Sequence, residues 1–427
     1  MSIPDMDGGV PANENHAIMC VTVRGGAVMQ PTATSVSAVN RLTARWATGL
    51  GPADTVFSAT TVWPLLALLA HAAEGPARSE LEEAVGMRAD DAAATARDLL
   101  AALKDVRGAR SAIGLWTGRA LPLNPAWASG LPTDTLGVLT GDPHADRKAL
   151  DAWASDCTDG LIRSMPVPLD GGTELVLAAA QAVRTRWLQP FSECEMVPEK
   201  GPWAGRYLVG LRRETSLLDR VGVAETEAGR LTVLKVLGDT GVDIHLLLGD
   251  PDMPPGQVLS AGAGTLAGRY RTVPGHLLPA GDPGPGLETG TERSLLPEPT
   301  LAVRTSPYSL GGDHDLLLRP ALFGLSAATD MSHGHFPGIS GAPLAVRSAR
   351  QAAVAVFDAA GFEAASLCAV GMAAAGMPPA PRYLTRRVEV SFDRPFGFLA
   401  VHRTSRLVLA AGWVAEPTPY PVDEGDA

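Results

Sequence analysis

The sequence predicts an α+β protein, with helices concentrated in the first hundred residues and antiparallel strands in the last hundred. Near the N-terminus, Val39, Leu42 and Trp46 recur at the spacing of one helical face. Near the C-terminus, two apolar runs at 388–398 and 407–417 have the composition of strands. Helices and strands that are segregated along the chain are typical of the α+β class.

Two further helices are predicted within the first ninety residues. One follows an N-cap at Thr60 or Thr61, whose hydroxyl groups can accept hydrogen bonds from free amides at a helix start. The other is expected to begin with a capping box formed by Ser79 and Glu82 and to end at Gly86.

The middle of the chain predicts one β-hairpin and one long irregular segment. Alternating apolar runs at 231–237 and 242–248 flank a Gly-rich turn, which indicates a hairpin. Residues 250–300 are rich in Gly and Pro and are expected to form an irregular surface segment.

The composition indicates a sizeable core and argues against nucleic-acid and membrane partners. Hydrophobic residues make up 46% of the 427 residues and charged residues 19%. Acidic residues outnumber basic residues by 46 to 35, which gives a formal net charge of −11. Nucleic acid and anionic membranes are usually bound through a basic surface. No stretch reaches the roughly 20 apolar residues that a membrane helix needs.

The two ends of the chain predict a single main domain with extensions. We expect residues 1–34 to be a disordered N-terminal extension, residues 35–417 to form the domain, and residues 418–427 to be a C-terminal tail. Both Met1 and Met29 remain open as the start. The first twenty residues contain no basic region followed by an apolar run, so no signal peptide is visible and a cytoplasmic location is expected. The cysteines lack metal spacing and are expected to be reduced thiols: Cys20, Cys157, Cys194 and Cys368.

No enzyme motif is found in the chain, and no cofactor or metal is implied. The sequence lacks GxSxG, HExxH, a P-loop and GxGxxG. His333 and His335 could be two metal ligands, but no further ligands at metal spacing complete the site, so a solvated loop is expected. The run 313–315, Asp-His-Asp, resembles a fragment of a catalytic relay, but it is interpreted as the beginning of a strand.

One segment near the C-terminus combines the properties of a buried strand with those of an exposed loop. Residues 361–370 are small, apolar and nearly uncharged, as in a strand that joins a sheet. They continue into 376–381, which holds one glycine and three prolines and is therefore loop-like. Together with the closing signature at 393–396, this layout resembles the reactive-centre loop and C-terminal strands of the serpins, the serine protease inhibitor superfamily. The likeness is to a bacterial member.

Other segments are similar to serpin motifs in the same chain order, so that the resemblance spans roughly 38–417. They lie at 55–62, 73–81, 150–162, 187–191 and 322–340. The resemblance implies three mainly antiparallel β-sheets, eight or nine helices, and an exposed reactive-centre loop at about 361–387. It implies no catalytic residue of the chain's own.

The resemblance also implies a function and the residues that perform it. In a serpin, a serine protease cleaves the exposed loop, and the hinge segment then inserts into the main sheet as a new strand while the protease remains attached. The corresponding hinge residues here are Gly361, Phe362, Glu363, Ala364, Ala365, Ser366, Leu367 and Cys368. The scissile region is expected at Ala374, Ala375, Gly376 and Met377. Residues of the sheet and of its opening point, the shutter, correspond to Ser58, Trp187 and Gln351.

The alternation of side chains in the hinge is compatible with insertion. If even-numbered positions face the core, the inward residues are all apolar or small, and the segment contains no Pro, Lys or Arg. Four positions depart from the inhibitory pattern: Phe362, Ala359, Gln351 and Cys368. The ring of Phe362, as the first residue to enter the sheet, is expected to slow insertion by overpacking.

The predicted cleavage site depends on whether residues are counted forward from the hinge or back from Phe392, and the expected target protease depends on that site. Counting forward from the hinge places the cut at 374–377, whereas counting back from Phe392 places it at Leu384. We favour the forward count, because the inserted length must match the sheet. Small residues there favour an elastase- or subtilisin-like serine protease as the partner of a monomeric inhibitor. Cleavage at Arg386 or Arg387 would instead favour a trypsin-like protease. The alternative function is that of a non-inhibitory serpin homologue, a binding module that proteases merely cut.

Overall fold

The computed structural model describes residues 29–132, 135–170, 175–362 and 381–421. Over these ranges the chain forms three β-sheets with helices packed around them, which confirms the predicted α+β class. The helices are α1 Ala33–Ala47, α2 Ala59–Ala72, α3 Gly75–Val85, α4 Ala89–Lys104, α5 Pro125–Ser129, α6 Pro143–Cys157, α7 Pro255–Leu266 and α8 Pro320–Phe323. In the part of the chain described here, no helix is long and apolar enough to cross a membrane.

Among the described residues, the main sheet contains seven strands, ordered β3-β2-β4-β16-β17-β5, with β15 also paired to β16. Its strands are β2 Ala109–Gly118, β3 Leu136–Leu139, β4 Leu175–Val183, β5 Thr185–Arg186, β15 Tyr308–Asp315, β16 Ser348–Phe357 and β17 Gly361–Phe362.

The second sheet has the order β1-β20-β19-β10-β9-β8-β11, and the third sheet has the order β12-β13-β18-β14-β7-β6. The second sheet consists of β1 Thr55–Phe57, β8 Val221–Thr226, β9 Gly229–Val236, β10 Val242–Gly249, β11 Thr272–Pro274, β19 Phe396–His402 and β20 Val408–Val414. The third consists of β6 Ser192–Met196, β7 Leu208–Thr215, β12 Gly281–Gly284, β13 Leu287–Ser294, β14 Thr300–Thr305 and β18 Tyr383–Ser391.

Helix α2 lies at the centre of the core, and thirteen of its fourteen residues are buried. It contacts the main sheet at β2 and β4 and the second sheet at β20, so that a single apolar cluster joins both sheets. A smaller cluster, which includes Leu150 and Ala154 of α6, covers the opposite face of the main sheet. The main sheet is therefore packed on both faces over β2, β4 and part of β16.

Two predicted helix starts are wrong. Helix α2 begins after Ser58, and the hydroxyl group of Thr60 donates a hydrogen bond to the main-chain oxygen of Val408 instead of capping the helix. Helix α3 begins at Gly75, so Ser79 lies inside it and forms no capping box. Proline at the first turn fixes this earlier start, because its missing N–H is not needed there. The predicted end at Gly86 is confirmed by its left-handed backbone, with φ of 77°.

The hairpin predicted at 231–248 is confirmed by strands β9 and β10, whereas the irregular segment predicted at 250–300 is wrong. That segment contains α7 and strands β11 to β13, and β14 begins at its end. Its prolines and glycines lie largely at the starts of these short elements and in the turns between them, where they are compatible with regular structure. The run Asp313–Asp315 ends strand β15 instead of beginning a strand, and the carboxylate of Asp315 accepts a hydrogen bond from Leu317 N at 2.9 Å.

The domain extends slightly beyond the predicted limits at both ends. Helix α1 begins at Ala33, with the hydroxyl group of Thr32 accepting a hydrogen bond from Ser35 N, so residues 33 and 34 belong to the fold. At the other end, Thr418 and Tyr420 form main-chain hydrogen bonds with the segment that leads into β7. Residues 1–28 and 422–427 lie outside the described residues.

Candidate functional site

The candidate site is a slot in the main sheet between strands β4 and β16. Over Ser348–Val354 the two strands are paired directly and run parallel, in register with Val176–Ala182. Beyond that point they are no longer paired with each other. The two-residue strand β17 lies between β16 and β5 there, and it is antiparallel to both. The sheet is thus closed at one end and holds a short added strand at the other.

Gly361 is required where β17 enters this slot. A Cβ atom built on Gly361 would lie 2.5 Å from the main-chain oxygen of Thr185, which is closer than a carbon atom can approach. Only glycine allows the backbones of β17 and β5 to come this close.

The turn that leads into β17 is fixed by Asp358, a residue that the sequence analysis did not single out. Its Oδ1 accepts hydrogen bonds from Ala360 N and Gly361 N, both at 2.8 Å. Its main-chain N–H donates to Gly361 O at 2.9 Å. An aspartate followed by small residues and glycine is a recognised signal for such a side-chain-stabilised turn, so the sequence did contain the information.

Phe362 is already part of the core, with only 1% of its surface exposed. Its ring lies 6.1 Å from that of Phe398 on β19, and its backbone is in register with Phe357 of β16. The expectation that this ring must be overpacked during a later insertion is therefore wrong for this structure. The space for the ring exists before any further strand is added, so its burial stabilises the present arrangement.

Trp187 lies beside the turn that precedes β17 and helps to hold it in place. Its indole N–H donates to Asp358 O at 2.9 Å, and its ring centre lies 4.7 Å from that of Phe357. Phe191 extends this aromatic group, and the guanidinium of Arg213 lies 4.3 Å from its ring centre. Burial lowers the pKa of Arg213 to about 10, so the group is still charged at neutral pH.

Ser58 and Gln351 meet under the closed part of the sheet, away from Trp187. The side-chain amide of Gln351 donates to Ser58 O at 2.6 Å and to Thr61 Oγ1 at 3.3 Å. The hydroxyl group of Ser58 donates to Leu409 O at 2.6 Å. The Oε1 atom of Gln351 is buried and has no hydrogen-bond partner among the described residues. The structure therefore joins two of the three predicted shutter residues and leaves one buried acceptor unsatisfied.

The comparisons with known proteins agree with this architecture. The family model for Serpin (serine protease inhibitor) matches residues 37–200. This part of the chain is therefore similar in sequence to the serpins.

Curated serpins align with only part of this chain. Serpin-Z2B of Oryza sativa subsp. japonica is 31% identical over 148 residues, and putative serpin-Z6C of the same plant is 28% identical over 193 residues. These alignments cover 32% and 41% of this chain and 35% and 46% of the relatives. The chain thus spans between a third and a half of the length of the curated serpins that it matches.

Solved serpin structures match nearly the whole fold at low identity. A serpin from the trematode Schistosoma haematobium is 13% identical, has a TM-score of 0.64, and aligns over 90% of this chain and 100% of its own. Human thyroxine-binding globulin, in complex with thyroxine, is 16% identical, with a TM-score of 0.67 and coverages of 90% and 98%. Native protease nexin-1 with heparin is 14% identical, with a TM-score of 0.66 and coverages of 90% and 99%. These matches establish the fold.

The remainder of the predicted serpin loop lies largely outside the described residues. Of the hinge, Gly361 and Phe362 are described, whereas Glu363, Ala364, Ala365, Ser366, Leu367 and Cys368 are not. The scissile residues Ala374, Ala375, Gly376 and Met377 are also outside the described ranges.

The predicted loop ends before residue 387, because strand β18 begins at Tyr383. Eight residues of β18 pair with β13, and five pair with β14 on the other side. Leu384 and Arg386 lie where β18 is paired with β13 alone, whereas Arg387 is paired with both neighbouring strands. Arg387 also forms ion pairs with three carboxylates of the third sheet, those of Glu214, Glu292 and Glu389. The hairpin of β12 and β13 thereby covers an edge of β18 that would otherwise be open.

A second feature of the serpin fold here is a positively charged cavity of about 460 Å³ between the end of α7 and the second sheet. Its charged lining residues are Arg220, Lys235, Asp243, His245, Arg403 and Arg406. Arg403 is held by Asp243, with Nε 2.9 Å from Oδ2. His245 is 8% exposed and has no hydrogen-bond partner among the described residues. Its burial, with Lys235 nearby, lowers its pKa to about 4, so that it is neutral at pH 7.

The two histidines of the 333–335 loop do not form a metal site. His333 Nδ1 lies 3.4 Å from Asp330 Oδ2, and His335 Nε2 lies 2.7 Å from Asp330 O. Across the described ranges, no three His, Cys, Asp or Glu side chains are grouped so as to hold a metal ion.

Proposed function

We propose that the chain inhibits serine-type endopeptidases as a suicide substrate, through cleavage of its reactive-centre loop and insertion of the hinge into the main sheet. The observation that carries this proposal is strand β17. It already lies at the open end of the slot, where its neighbours are β16 and β5, and it is antiparallel to both. From residue 365 onward, each further hinge residue would replace a parallel pair of β4 and β16 with two antiparallel pairs. Antiparallel pairing is slightly more stable per residue, so extension of β17 is favourable once the loop is free to move.

The register of β17 sets the length of the inserted strand. Phe362 lies opposite Phe357, and each residue further along the hinge moves one residue back along β16. Residue 371 therefore meets Ser348, the first residue of β16. A cut at 374–377 leaves a few residues beyond the end of the sheet, which is enough to link the strand to an attached protease. This agreement supports the forward count.

The same register determines which hinge residues face the core. Directly opposed residues point to the same face of a sheet. Phe357, Ala355 and Ala353 of β16 belong to the main apolar cluster. The opposed positions 362, 364 and 366 are therefore inward, and these are Phe, Ala and Ser. Even-numbered positions thus carry side chains that the core can accept.

The bonds within β18 are poor candidates for the inhibitory cut. A protease binds its substrate in an extended form with free main-chain groups, whereas β18 is paired with β13 from Tyr383 onward and also with β14 from Arg387 onward. The small residues Ala374 and Ala375 favour an elastase- or subtilisin-like pocket, and we propose proteases of that kind as the partners.

The experiment is incubation with subtilisin and with pancreatic elastase, followed by denaturing electrophoresis. An inhibitor gives a covalent complex that survives detergent, whereas a plain substrate gives only fragments. Ser366→Arg places a charge at an inward position and is expected to abolish the complex while cleavage continues. Ala365→Arg, one residue earlier and on the opposite face beside Val354, which is only half-buried, is the comparison variant and is expected to trap more protease than Ser366→Arg. Equal trapping by the two variants would contradict the proposed insertion.

A second candidate function, that of a carrier without inhibitory action, is favoured by the cationic cavity. The cavity combines the cationic Lys235 and Arg406 with His245, which has no hydrogen-bond partner among the described residues, in a chain of net charge −11. Thyroxine-binding globulin, a similar structure, binds an aromatic ligand that carries a carboxylate. We propose an aromatic carboxylate as the ligand class for this alternative. Calorimetric titration with thyroxine and with simpler aromatic acids tests it, with Lys235→Glu as the cavity variant and Lys200→Glu as the exposed control.

A further inference from the structure

We propose that the solvent-exposed face of the third sheet carries a binding site for a phosphate group, either as the free ion or as the monoester of a small molecule. Two arginines form the site, Arg212 on β7 and Arg304 on β14. Neither belongs to the slot of the main sheet or to the hinge, so the inference does not rest on the proposed inhibitory function.

The pairing of the strands places the two arginines side by side. Arg304 is directly opposite Arg212, and the same row continues to Ser192 on β6 and to Ser391 on β18. Directly opposed residues of antiparallel strands point to the same face, with Cα atoms roughly 5 Å apart. Arg212 and Arg304 are both exposed, so the row lies on the face that meets solvent.

All four residues of this row line one cavity of about 450 Å³. This volume is typical of a small-molecule pocket and leaves space for an organic group beside a phosphate. The hydroxyl group of Ser192, which is exposed, can donate to a phosphate oxygen in addition to the two guanidinium groups. The cavity therefore combines two cations and a neutral donor.

Carboxylates elsewhere on this face are directed away from the two arginines. Glu214 and Glu389 also line the cavity, but their oxygen atoms lie 3.5 Å and 2.5 Å from nitrogen atoms of Arg387. Among the described residues, neither Arg212 nor Arg304 forms an ion pair. The positive charge of the pair is thus left for a ligand to neutralise.

One further carboxyl group faces the site from the end of the row. The positive charges of Arg394 and Arg304 lower the pKa of Asp393, although its burial raises that pKa overall. The side chain of Asp393 is also hydrogen-bonded to Ser391. This carboxyl group is thus shared with Arg394 and lies beyond ion-pair distance of Arg304.

The charge arrangement favours a phosphate over an empty site. Like charges directly opposite each other on paired strands are destabilising. At Arg387 the same face supplies three carboxylates to one arginine, whereas the pair of Arg212 and Arg304 has none. Each guanidinium is a planar fork of N–H donors that can bind two phosphate oxygens. A phosphate dianion also balances both positive charges, whereas a single carboxylate balances one.

Cys194 on β6 is a natural reporter for this site. It lies two residues from Ser192 and opposite Gly210, so it is on the same face as the row. Burial raises the pKa of the Cys194 thiol, and the positive charges of Arg304 and Arg212 lower it in part. The reactivity of the thiol therefore depends on both guanidinium groups, and a phosphate that neutralises them should reduce it.

The first measurement is the rate at which iodoacetamide labels Cys194 in the full chain as inorganic phosphate is added. Cys20, Cys157 and Cys368 are replaced by serine in this protein. Sodium chloride of the same ionic strength controls for general screening of charge. We expect phosphate, but not chloride, to slow the labelling at least about threefold.

The second measurement is calorimetric titration of variants with inorganic phosphate. The site variants are Arg212→Gln and Arg304→Gln, and Arg304→Lys retains the charge without the planar fork. Lys235→Gln is the matched control, because it removes a cation from the separate cavity beside α7. Circular dichroism melting confirms that each variant folds.

Binding at the arginine pair predicts that each glutamine variant binds phosphate at least about tenfold more weakly than the parent. Arg304→Lys should be intermediate, and Lys235→Gln should bind as the parent does. Labelling of Cys194 that about 10 mM phosphate leaves unchanged would overturn the proposal. Glutamine variants that bind within about twofold of the parent would overturn it as well.

Titration with glycerol 2-phosphate distinguishes the two sources of the phosphate group. An ester that binds more tightly than inorganic phosphate shows that the remaining volume of the cavity holds the organic part. Equal or weaker binding of the ester shows that the site takes the free ion. In both cases the affinity must fall in Arg212→Gln and in Arg304→Gln.

Discussion

The side chain of Gln351 on β16 donates a hydrogen bond to the main-chain oxygen of Ser58, 2.6 Å away, at the point where α2 begins. This bond ties the central helix to the strand that borders the slot. The other amide atom of Gln351, Oε1, is buried and unpaired. The register of β17 brings residue 368 opposite Gln351 when the hinge is inserted, so a donor on the incoming strand can reach this acceptor.

Cys368 is therefore predicted to become buried on cleavage. In the inserted strand it faces the core opposite Gln351, so its thiol is shielded from solvent and its S–H can bond to Oε1. The measurement is the rate of iodoacetamide labelling of Cys368 before and after cleavage, in a background where Cys20, Cys157 and Cys194 are serine. Labelling at least tenfold slower after the cut is expected. A thiol that stays equally reactive means that the strand has remained outside the sheet.

Gly361→Ala is predicted to displace β17 from the slot. The added Cβ meets the main-chain oxygen of Thr185 at 2.5 Å, and such overpacking costs about 1–3 kcal/mol. Urea unfolding measures the loss. Gly290→Ala on β13 is the matched control, because a Cβ there meets nothing within 4 Å. Similar unfolding of both variants would show that the close approach at Gly361 does not constrain the chain.

Asp358→Ala is predicted to loosen the turn that leads into β17. It removes the acceptor for Ala360 N and Gly361 N, and hydrogen bonds to a charged group contribute about 1.5–3 kcal/mol. Hydrogen exchange of the Gly361 amide should become faster. Asp358→Asn retains an acceptor oxygen and should remain close to the parent; exchange that is unchanged in the alanine variant would argue against this role.

The stability of the protein is predicted to fall between pH 6.5 and pH 4 because of His245. Burial lowers its pKa in the folded chain to about 4, with Lys235 as a smaller cause. The unfolded chain takes up a proton near pH 6.5, so protonation favours unfolding as the pH falls through this window. The contribution is up to about 3 kcal/mol. Urea unfolding from pH 7 to pH 4 should show a smaller loss for His245→Gln than for the parent, and parallel profiles would contradict the assignment.

Local sequence patterns predicted the elements that depend on neighbouring residues. The hairpin around 238–241 and the closing strands are recognisable because alternation and turn residues lie within a few positions of one another. The serpin likeness supplied the number of sheets and the position of the inserting segment, which local patterns do not contain. Gly361 and Phe362 were placed in the inserting segment, and the structure shows them in the sheet.

Features built from distant segments could not be predicted in this way. The pairing of β13 with β18 joins residues almost a hundred positions apart, and the Gly- and Pro-rich composition of 250–300 concealed its strands. The cationic cavity draws Lys235 and His245 from strands β9 and β10 and Arg403 from the turn after β19. The packing of Phe362 depends on Phe398, whose proximity only the folded sheets create.

The most direct test of the central claim is the melting temperature of the protein before and after cleavage at 374–377. Insertion of the hinge adds a full strand to the main sheet, from residue 362 opposite Phe357 to residue 371 opposite Ser348. The account predicts that the cleaved protein melts well above the uncut protein. Cleaved and uncut protein that melt at the same temperature would show that the hinge does not insert, and the proposed inhibitory mechanism would be contradicted.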